Sequence, residues 1–268
     1  MVHRKKLLKA AKTAGVLALI LLLTAAGDAQ AGKKKKKKKK SNPTTVESQL
    51  LTQIDSRLVA YKTAEARALL EAEMDPQDVD VVLARGRVLE QEKSYDEAAA
   101  ELQRIADLAP ADPAALVYLG ECQLHADRSK AARDAFAAAE QRAAARLAED
   151  PDHVRSLYFQ GVAQQRLQRY EEAVATLQRA RELAPKDEMV VYQLGVTYAF
   201  QENWGAAIDH LSQALAKNSG IAYAYYYRGL SHGKVGRKDL MLNDLDRFLA
   251  LAPEAPEAGR ARRVLEAG

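Results

Sequence analysis

The chain contains few of the residues that build catalytic or metal sites. Its 268 residues include one cysteine, one tryptophan and five histidines. The histidines form no His-Glu-x-x-His pair, and the sequence has no G-x-x-x-x-G-K-[ST] phosphate loop and no G-x-S-x-G nucleophile turn. The sequence therefore predicts no enzyme, no metal site and no cofactor.

The single cysteine, Cys122, excludes a disulfide bond within the chain. Cysteine is among the residue types that are most often buried, so we expect Cys122 to lie in the protein interior. A disulfide-linked dimer is the alternative. His232 stands where a helix-packing residue is expected, which favours a structural role for it.

Glycines recur at a nearly fixed interval along the chain. Gly86, Gly120, Gly161, Gly195 and Gly229 are separated by 34, 41, 34 and 34 residues. The seven extra residues of the longer step equal about two α-helical turns, so they lengthen a helix without rotating its apolar face. The interval therefore indicates a repeat protein built from helices.

Each repeat has the apolar spacing of two helices. In residues 154–187, small or apolar residues recur three, four or seven positions apart within each half, which is amphipathic helical periodicity. The spacing loses register between Gln164 and Tyr170, and Pro185 ends the second half. We expect two antiparallel helices in each unit, with Gly161 allowing them to approach closely.

The repeated skeleton, for example Leu194, Gly195, Tyr198 and Ala207, resembles the tetratricopeptide-repeat family, whose helix-turn-helix unit has 34 residues. The resemblance implies an all-α fold, a right-handed solenoid of about six stacked helix-turn-helix units that ends in a capping helix. The predicted units are residues 45–78, 79–112, 113–153, 154–187, 188–221 and 222–255, and the capping helix is residues 256–268.

The seven extra residues fall in the second helix of the third unit, around Ala137 to Glu149, where alanine and arginine favour continuous helix. At 1.5 Å per residue the extension should protrude by about 10 Å. It is either an insertion without consequence or a secondary docking ridge.

Residues 1–31 have the layout of a secretory signal peptide. Five Lys/Arg between His3 and Lys12 precede an apolar run that ends at Ala26, and small residues stand at a candidate cleavage site before Gly32. The run is about 13 residues, whereas a membrane helix needs about 20. Cleavage would give a periplasmic or secreted protein of a bacterial cell envelope. Lysines directly after the run favour the cytoplasmic side, so an uncleaved anchor carrying a cytoplasmic adaptor is the alternative.

Residues 32–44 form a linker rich in lysine, which repels itself and should be a disordered tether. From Ser41 onward the chain has 27 basic and 35 acidic residues, a net charge of about −8. The linker is either a solubilising spacer or a contact with an anionic membrane surface or envelope polymer. Nucleic acid is disfavoured because no aromatic residue lies among the lysines. The residues predicted to bind an anionic surface are Lys33, Lys34, Lys35, Lys36, Lys37, Lys38, Lys39 and Lys40.

The family resemblance implies that the first helix of each unit lines a concave groove, in which such proteins bind a protein or peptide segment. Twelve of the sixteen aromatic residues follow His153, so the predicted groove is aromatic toward the carboxyl end. Tyrosines offer a large, rigid contact area for a peptide. The predicted peptide-binding residues are Arg155, Tyr158, Val162, Arg166, Tyr192, Val196, Phe200, Tyr223, Tyr226, Leu230 and Lys234.

The amino-terminal half of the predicted groove carries more charge, which suggests a different partner or role for each half. The residues at its groove positions are Asp80, Leu83, Arg87, Glu90, Gln91, Val117, Glu121 and His125. Taken together, the sequence and the resemblance predict a non-enzymatic scaffold that binds a protein segment.

Overall fold

The computed structural model describes residues 46–71 and 78–267, with side chains described from Gln53 onward. This part of the chain consists of thirteen α-helices and contains no strand, which confirms the all-α repeat solenoid. The predicted signal peptide or anchor and the lysine linker lie outside the described residues. The helices are α1 (Val46–Val59), α2 (Thr63–Leu70), α3 (Val79–Gln91), α4 (Tyr95–Leu108), α5 (Ala114–His125), α6 (Ser129–Glu149), α7 (Val154–Arg166), α8 (Tyr170–Leu183), α9 (Glu188–Phe200), α10 (Trp204–Lys217), α11 (Ala222–Lys234), α12 (Lys238–Leu251) and α13 (Ala258–Glu266).

The first twelve helices form six consecutive pairs, each joined by a short turn. In every pair one turn residue adopts the left-handed conformation, which costs an ordinary residue roughly 1–2 kcal/mol. Tyr61 is the one aromatic residue in this position. The φ angles are 55° at Tyr61, 65° at Lys93, 59° at Asp127, 63° at Gln168, 61° at Glu202 and 78° at Gly236.

Glycines in the first helices allow the second helices to pack directly against the backbone. A Cβ atom on Gly161 would lie 2.5 Å from Cγ of Leu177, and one on Gly120 would lie 2.5 Å from Cε1 of Phe136. Both partner side chains are buried. The prediction that small residues set the distance between paired helices is therefore confirmed.

The last pair is held by a buried ion pair that the sequence analysis did not identify. Asp244 on α12 is 6% exposed and accepts two hydrogen bonds from Arg228 on α11, at 2.8 Å from Nε and 2.7 Å from Nη2. His232 is also buried, with Nε2 3.9 Å from Asp244, and burial lowers its pKa. His232 thus contributes to the packing of this pair, as expected.

The long second helix of the third pair, α6, has 21 residues, whereas α4, α8, α10 and α12 have 14 each. Its buried face continues through Ala139 to Ala143, and Arg142 donates a 2.6 Å hydrogen bond to the carbonyl of Ala106. The extra residues therefore extend this helix, in the place that the sequence predicts.

The single helix α13 packs against the end of the last pair. Ala258 and Ala261 are buried, and Ala261 belongs to the same apolar cluster as Phe248. Among the described helices, none is both long and apolar enough to cross a membrane.

Candidate functional site

Side chains from the first helices of all six pairs surround two adjoining cavities of about 410 and about 570 Å³. We call these the smaller and the larger cavity, and together the hollow. Val59, Arg87, Tyr118 and Met189 line both cavities, so the cavities share a wall. Arg155 and Asp80, which line the larger cavity, have side chains that are 42% and 58% exposed, so the hollow opens to solvent there.

The first pair of helices contacts the last pair. This contact between the two ends of the array bounds the hollow on one side. The rings of Tyr61 and Tyr223 lie 5.9 Å apart between centroids. Val59 packs against the apolar cluster that contains Ile221. The resemblance implied a concave groove, and the structure shows a groove whose two ends contact each other. The repeat interval does not reveal this contact, because it describes the packing of neighbouring units.

The walls of the larger cavity are partly aromatic. Phe159 contacts Tyr158 edge-on, with centroids 5.0 Å apart, and Tyr118 at 5.7 Å. Both tyrosines are only partly buried. A bound chain would therefore meet aromatic surface that the helices leave uncovered.

Arginines on the hollow's wall are paired with carboxylates of neighbouring first helices. Arg87 Nη1 lies 2.5 Å from Asp55 Oδ1, and its guanidinium carbon is 5.0 Å from the centre of the Tyr118 ring. Arg166 Nε donates a 2.6 Å hydrogen bond to Glu121 Oε1. These pairs link successive first helices around the hollow.

Arg155 is shared by two carboxylates. Its Nη2 atom lies 3.0 Å from Asp112 Oδ2 and 3.3 Å from Asp80 Oδ1. Burial raises the pKa of Asp80, and the charges of Asp78, Asp112 and Asp55 add to this against the opposing effect of Arg155. The entrance of the larger cavity is thus rich in negative charge.

His125 and Glu90 line the smaller cavity and lie 2.5 Å apart between Nδ1 and Oε1. The hydrogen bond that the His125 ring donates to Glu90 raises the pKa of His125 despite partial burial of the ring. Tyr227 lines the same cavity, and burial raises its pKa to about 12. The tyrosine is therefore a neutral hydroxyl at physiological pH, and it can donate a hydrogen bond.

Six of the eleven predicted peptide-binding residues line the hollow: Arg155, Tyr158, Arg166, Tyr192, Val196 and Tyr223. In the amino-terminal half, Val117 is 2% exposed and lies in the core. The other seven groove positions of that half do line the hollow: Asp80, Leu83, Arg87, Glu90, Gln91, Glu121 and His125.

The other five predicted residues do not line either cavity. Tyr226 is 3% exposed and packs 5.0 Å from Phe248, and Val162 is buried in the core. Leu230 packs against the apolar cluster of the last pair. Phe200 stacks on Tyr170 with centroids 6.0 Å apart, and Lys234 lies 5.6 Å from the Trp204 ring.

In α11 the hollow is faced by Tyr223 and Tyr227, not by Tyr226. The positions assigned from the resemblance miss Tyr227 because Tyr226 turns toward the large Phe248 ring of the last pair. Tyr118 and Phe159 also line the hollow and were not among the predicted residues. All three missed residues occupy the sixth position of their unit, directly after the fifth position that was assigned to the groove. An aromatic residue at the sixth position was therefore the signal in the sequence that could have identified them.

The remaining candidate chemistry of the described residues lies outside the hollow. Cys122 is fully buried, with Sγ 3.1 Å from the carbonyl oxygen of Tyr95, as expected for a packing residue. Within residues 46–71 and 78–267, no three His, Cys, Asp or Glu side chains are grouped so as to hold a metal ion.

The chain is similar to several solved repeat proteins. A thermophilic TPR protein of Thermus thermophilus shares 22% identity over 70% of this chain and 100% of its own, with a TM-score of 0.56. MamA from Desulfovibrio magneticus RS-1 shares 17% over 66% and 97%, with a TM-score of 0.43. YrrB, described as a TPR protein with an unusual peptide-binding site, shares 20% over 76% and 99%, with a TM-score of 0.40.

No curated protein sequence matches the chain. The family model named Tetratricopeptide repeat matches residues 51–113, 96–146 and 136–188. These matches together span residues 51–188, more than half of the 268 residues. The matched range begins within α1 and ends at the start of α9, so it covers most of the first four helix pairs, with Gly86, Gly120 and Gly161 in their first helices. The chain belongs to the tetratricopeptide-repeat family.

Proposed function

We propose that this protein is a non-enzymatic adaptor that binds a segment of another protein inside the hollow. The observation that carries the proposal is the convergence of all six first helices on cavities of about 410 and about 570 Å³. Volumes of roughly 300–1,000 Å³ are typical of binding pockets. The hollow opens to solvent beside Arg155, so a chain can enter there.

The chemistry of the wall suits a polypeptide. Tyr158 and Tyr192 present partly exposed rings, and aromatic side chains in central pockets supply much of the energy at protein interfaces. Glu121 and Glu90 offer carboxylate oxygens that can accept hydrogen bonds from a bound backbone. Proteins of this family bind protein or peptide partners, which supports the same conclusion.

The site can be tested by placing a photo-crosslinking amino acid at Tyr192 of the full chain in cells. The control is the same substitution at Leu240, which is 44% exposed and lines neither cavity. We expect a covalent adduct with a partner segment from Tyr192 and none from Leu240. Adducts from Leu240 alone would show that partners dock on the outer surface and would contradict the proposal.

We further propose that the adaptor is exported to a bacterial cell envelope. The support is the signal-like layout of residues 1–31, with small residues before Gly32. Sequencing the amino terminus of the mature protein tests this. A start at Gly32 is expected, whereas an intact Met1 in the membrane fraction would favour the membrane-anchored adaptor.

The eight lysines that follow residue 32 support a role for the linker as a contact with an anionic surface, at about 1 kcal/mol per lysine near the membrane. Flotation with vesicles of anionic or neutral phospholipid is the measurement. Binding to anionic vesicles should disappear when Lys33–Lys40 are replaced by glutamines. Equal flotation of the unaltered protein and the glutamine variant would indicate that the linker is a solubilising spacer.

A further inference from the structure

The wall of the hollow carries more negative than positive charge. Its arginines are Arg87, Arg155 and Arg166. Twice as many carboxylates line the same two cavities: Asp55, Asp80, Glu90, Glu121, Asp187 and Glu257. With His125 neutral, the lining residues carry a net charge of about −3.

The three arginines are already engaged, so they are poor receptors for an anionic ligand. Arg87 is paired with Asp55, and Arg166 is paired with Glu121. Arg155 is paired with two carboxylates, and its guanidinium carbon lies 5.3 Å from the centre of the Phe159 ring. An acidic ligand would have to displace these carboxylates and leave them without their partners in a partly buried site.

The carboxylates, by contrast, can accept additional donors. Asp80 and Asp112 share one guanidinium group, so two negative charges face one positive charge. Each carboxylate has about four acceptor positions. The raised pKa of Asp80, which arises from burial and from the neighbouring acids, is consistent with negative potential at this point.

Aromatic rings stand beside this negative charge. Tyr158 and Phe159 line the larger cavity together with Asp80 and Asp187. Lysine and arginine side chains have an apolar stem and a charged tip. The stem can lie on the partly exposed ring of Tyr158 while the tip reaches the carboxylates. A cation near an aromatic face is itself attracted to the ring.

We propose that the segment bound in the hollow is cationic and places a lysine or arginine side chain in the larger cavity, between the ring of Tyr158 and the carboxylates of Asp80 and Asp187. This inference rests on the proposed function, that a protein segment occupies the hollow. It adds the chemical class of that segment.

The test uses the full chain and three peptides of about twelve residues that carry a neutral dye. In the first, lysine alternates with alanine; in the others, acetyl-lysine or glutamate replaces every lysine. Acetyl-lysine keeps the stem and removes the charge, so it isolates the cationic tip. By fluorescence anisotropy at physiological salt, we expect the lysine peptide to bind at least about tenfold more tightly than either analogue.

Two double variants with equal net charge locate the effect. D80N/D187N removes two charges from the larger cavity and keeps the side-chain shapes, and asparagine at residue 187 can still cap α9. The control, D96N/D209N, removes two exposed charges outside the hollow. We expect the lysine peptide to bind about tenfold more weakly to D80N/D187N and less than about twofold more weakly to D96N/D209N. Circular dichroism verifies that both variants are folded.

Three results would overturn the cationic preference. The lysine and acetyl-lysine peptides could bind equally, the two double variants could weaken binding equally, or the glutamate peptide could bind most tightly. A segment crosslinked from Tyr192 that lacks lysine and arginine would also overturn it, while leaving the proposed function in place. Absence of both peptide binding and crosslinking from Tyr192 would instead contradict the proposed function itself.

Discussion

The ring of Tyr61, in the turn of the first helix pair, lies 5.9 Å from the ring of Tyr223 in the last pair, measured between centroids. The Tyr223 hydroxyl in turn donates a hydrogen bond to Glu257, just before α13. Tyr61 makes this contact from a left-handed conformation with φ of 55°. An aromatic residue rarely adopts that conformation. In this protein, the aromatic residue that adopts it is also the one whose ring contacts the last helix pair.

Replacing Tyr61 with asparagine should loosen the first helix pair. Asparagine tolerates the left-handed conformation but loses the ring contact, which is worth about 0.5–1.5 kcal/mol. In hydrogen exchange, α1 and α2 should exchange up to about tenfold faster, while α7 to α10 stay unchanged. The control is Gln168→Asn, at the equivalent turn of the fourth pair. Unchanged exchange of α1 and α2 would show that the ring contact does not hold the ends together.

Even in the unaltered protein, the first pair should exchange before the regular pairs of residues 154–255. Its second helix, α2, has eight residues, whereas α8 and α10 have 14. In stacked repeats most of the stability comes from contacts between neighbouring units, and a short helix supplies fewer of them. Slower exchange in α2 than in α8 would contradict this order.

Gly161→Ala should destabilise the protein, because its Cβ atom would lie 2.5 Å from Cγ of the buried Leu177. Overpacking of this kind typically costs about 1–3 kcal/mol. Gly205→Ala is the matched control, since its Cβ atom would meet no other atom within 4 Å, and alanine favours helix. Urea denaturation should show a lower midpoint for Gly161→Ala alone. Equal midpoints would show that α8 can move away from α7 without cost.

Asp244→Ala should destabilise the last pair by about 3 kcal/mol, because Arg228 would remain as a partly buried, unpaired cation. Removing both partners, with Arg228→Met and Asp244→Leu, should cost less than the single change. Urea denaturation of the single and double variants tests this. A larger loss for the double variant would indicate that the ion pair contributes net stability.

The Cys122 thiol should react with alkylating reagents only after unfolding. It is fully buried, and burial raises its pKa to about 11, so the reactive thiolate is scarce at neutral pH. A thiol placed at exposed Ser129 is the control and should react rapidly in the native protein. Rapid modification of Cys122 without denaturant, or a disulfide-linked dimer, would contradict this prediction.

The contact between His125 and Glu90 should make stability depend on pH. The hydrogen bond raises the folded-state pKa of His125 above its unfolded value of about 6.5. Its stabilisation is therefore complete below about pH 6.5 and is lost as the pH rises through the folded-state pKa. The difference in unfolding free energy between the protein and His125→Gln should shrink over that range. In NMR titration His125 should titrate above His232, whose pKa burial lowers.

Much of the fold could be predicted because helical repeats place the same residue types at a regular spacing along the sequence. The interval between Gly120 and Gly161 placed the seven extra residues in the third unit, and α6 contains them. The lining of the hollow was predicted less well. Tyr226 is buried against Phe248, and Tyr227 takes the inner position, because the rotation of a helix depends on its neighbours' side chains and not on its own spacing.

The sequence by itself determined the repeating helix pair, since glycine opposite a large apolar residue, as at Gly161 and Leu177, is a local requirement of close helix packing. Only the tertiary structure decided which side chains face the hollow and that Tyr61 meets Tyr223. The physical reason is that small rotations between successive pairs add up along the array. Their sum brings the first and last pairs together, and no single repeat contains that information.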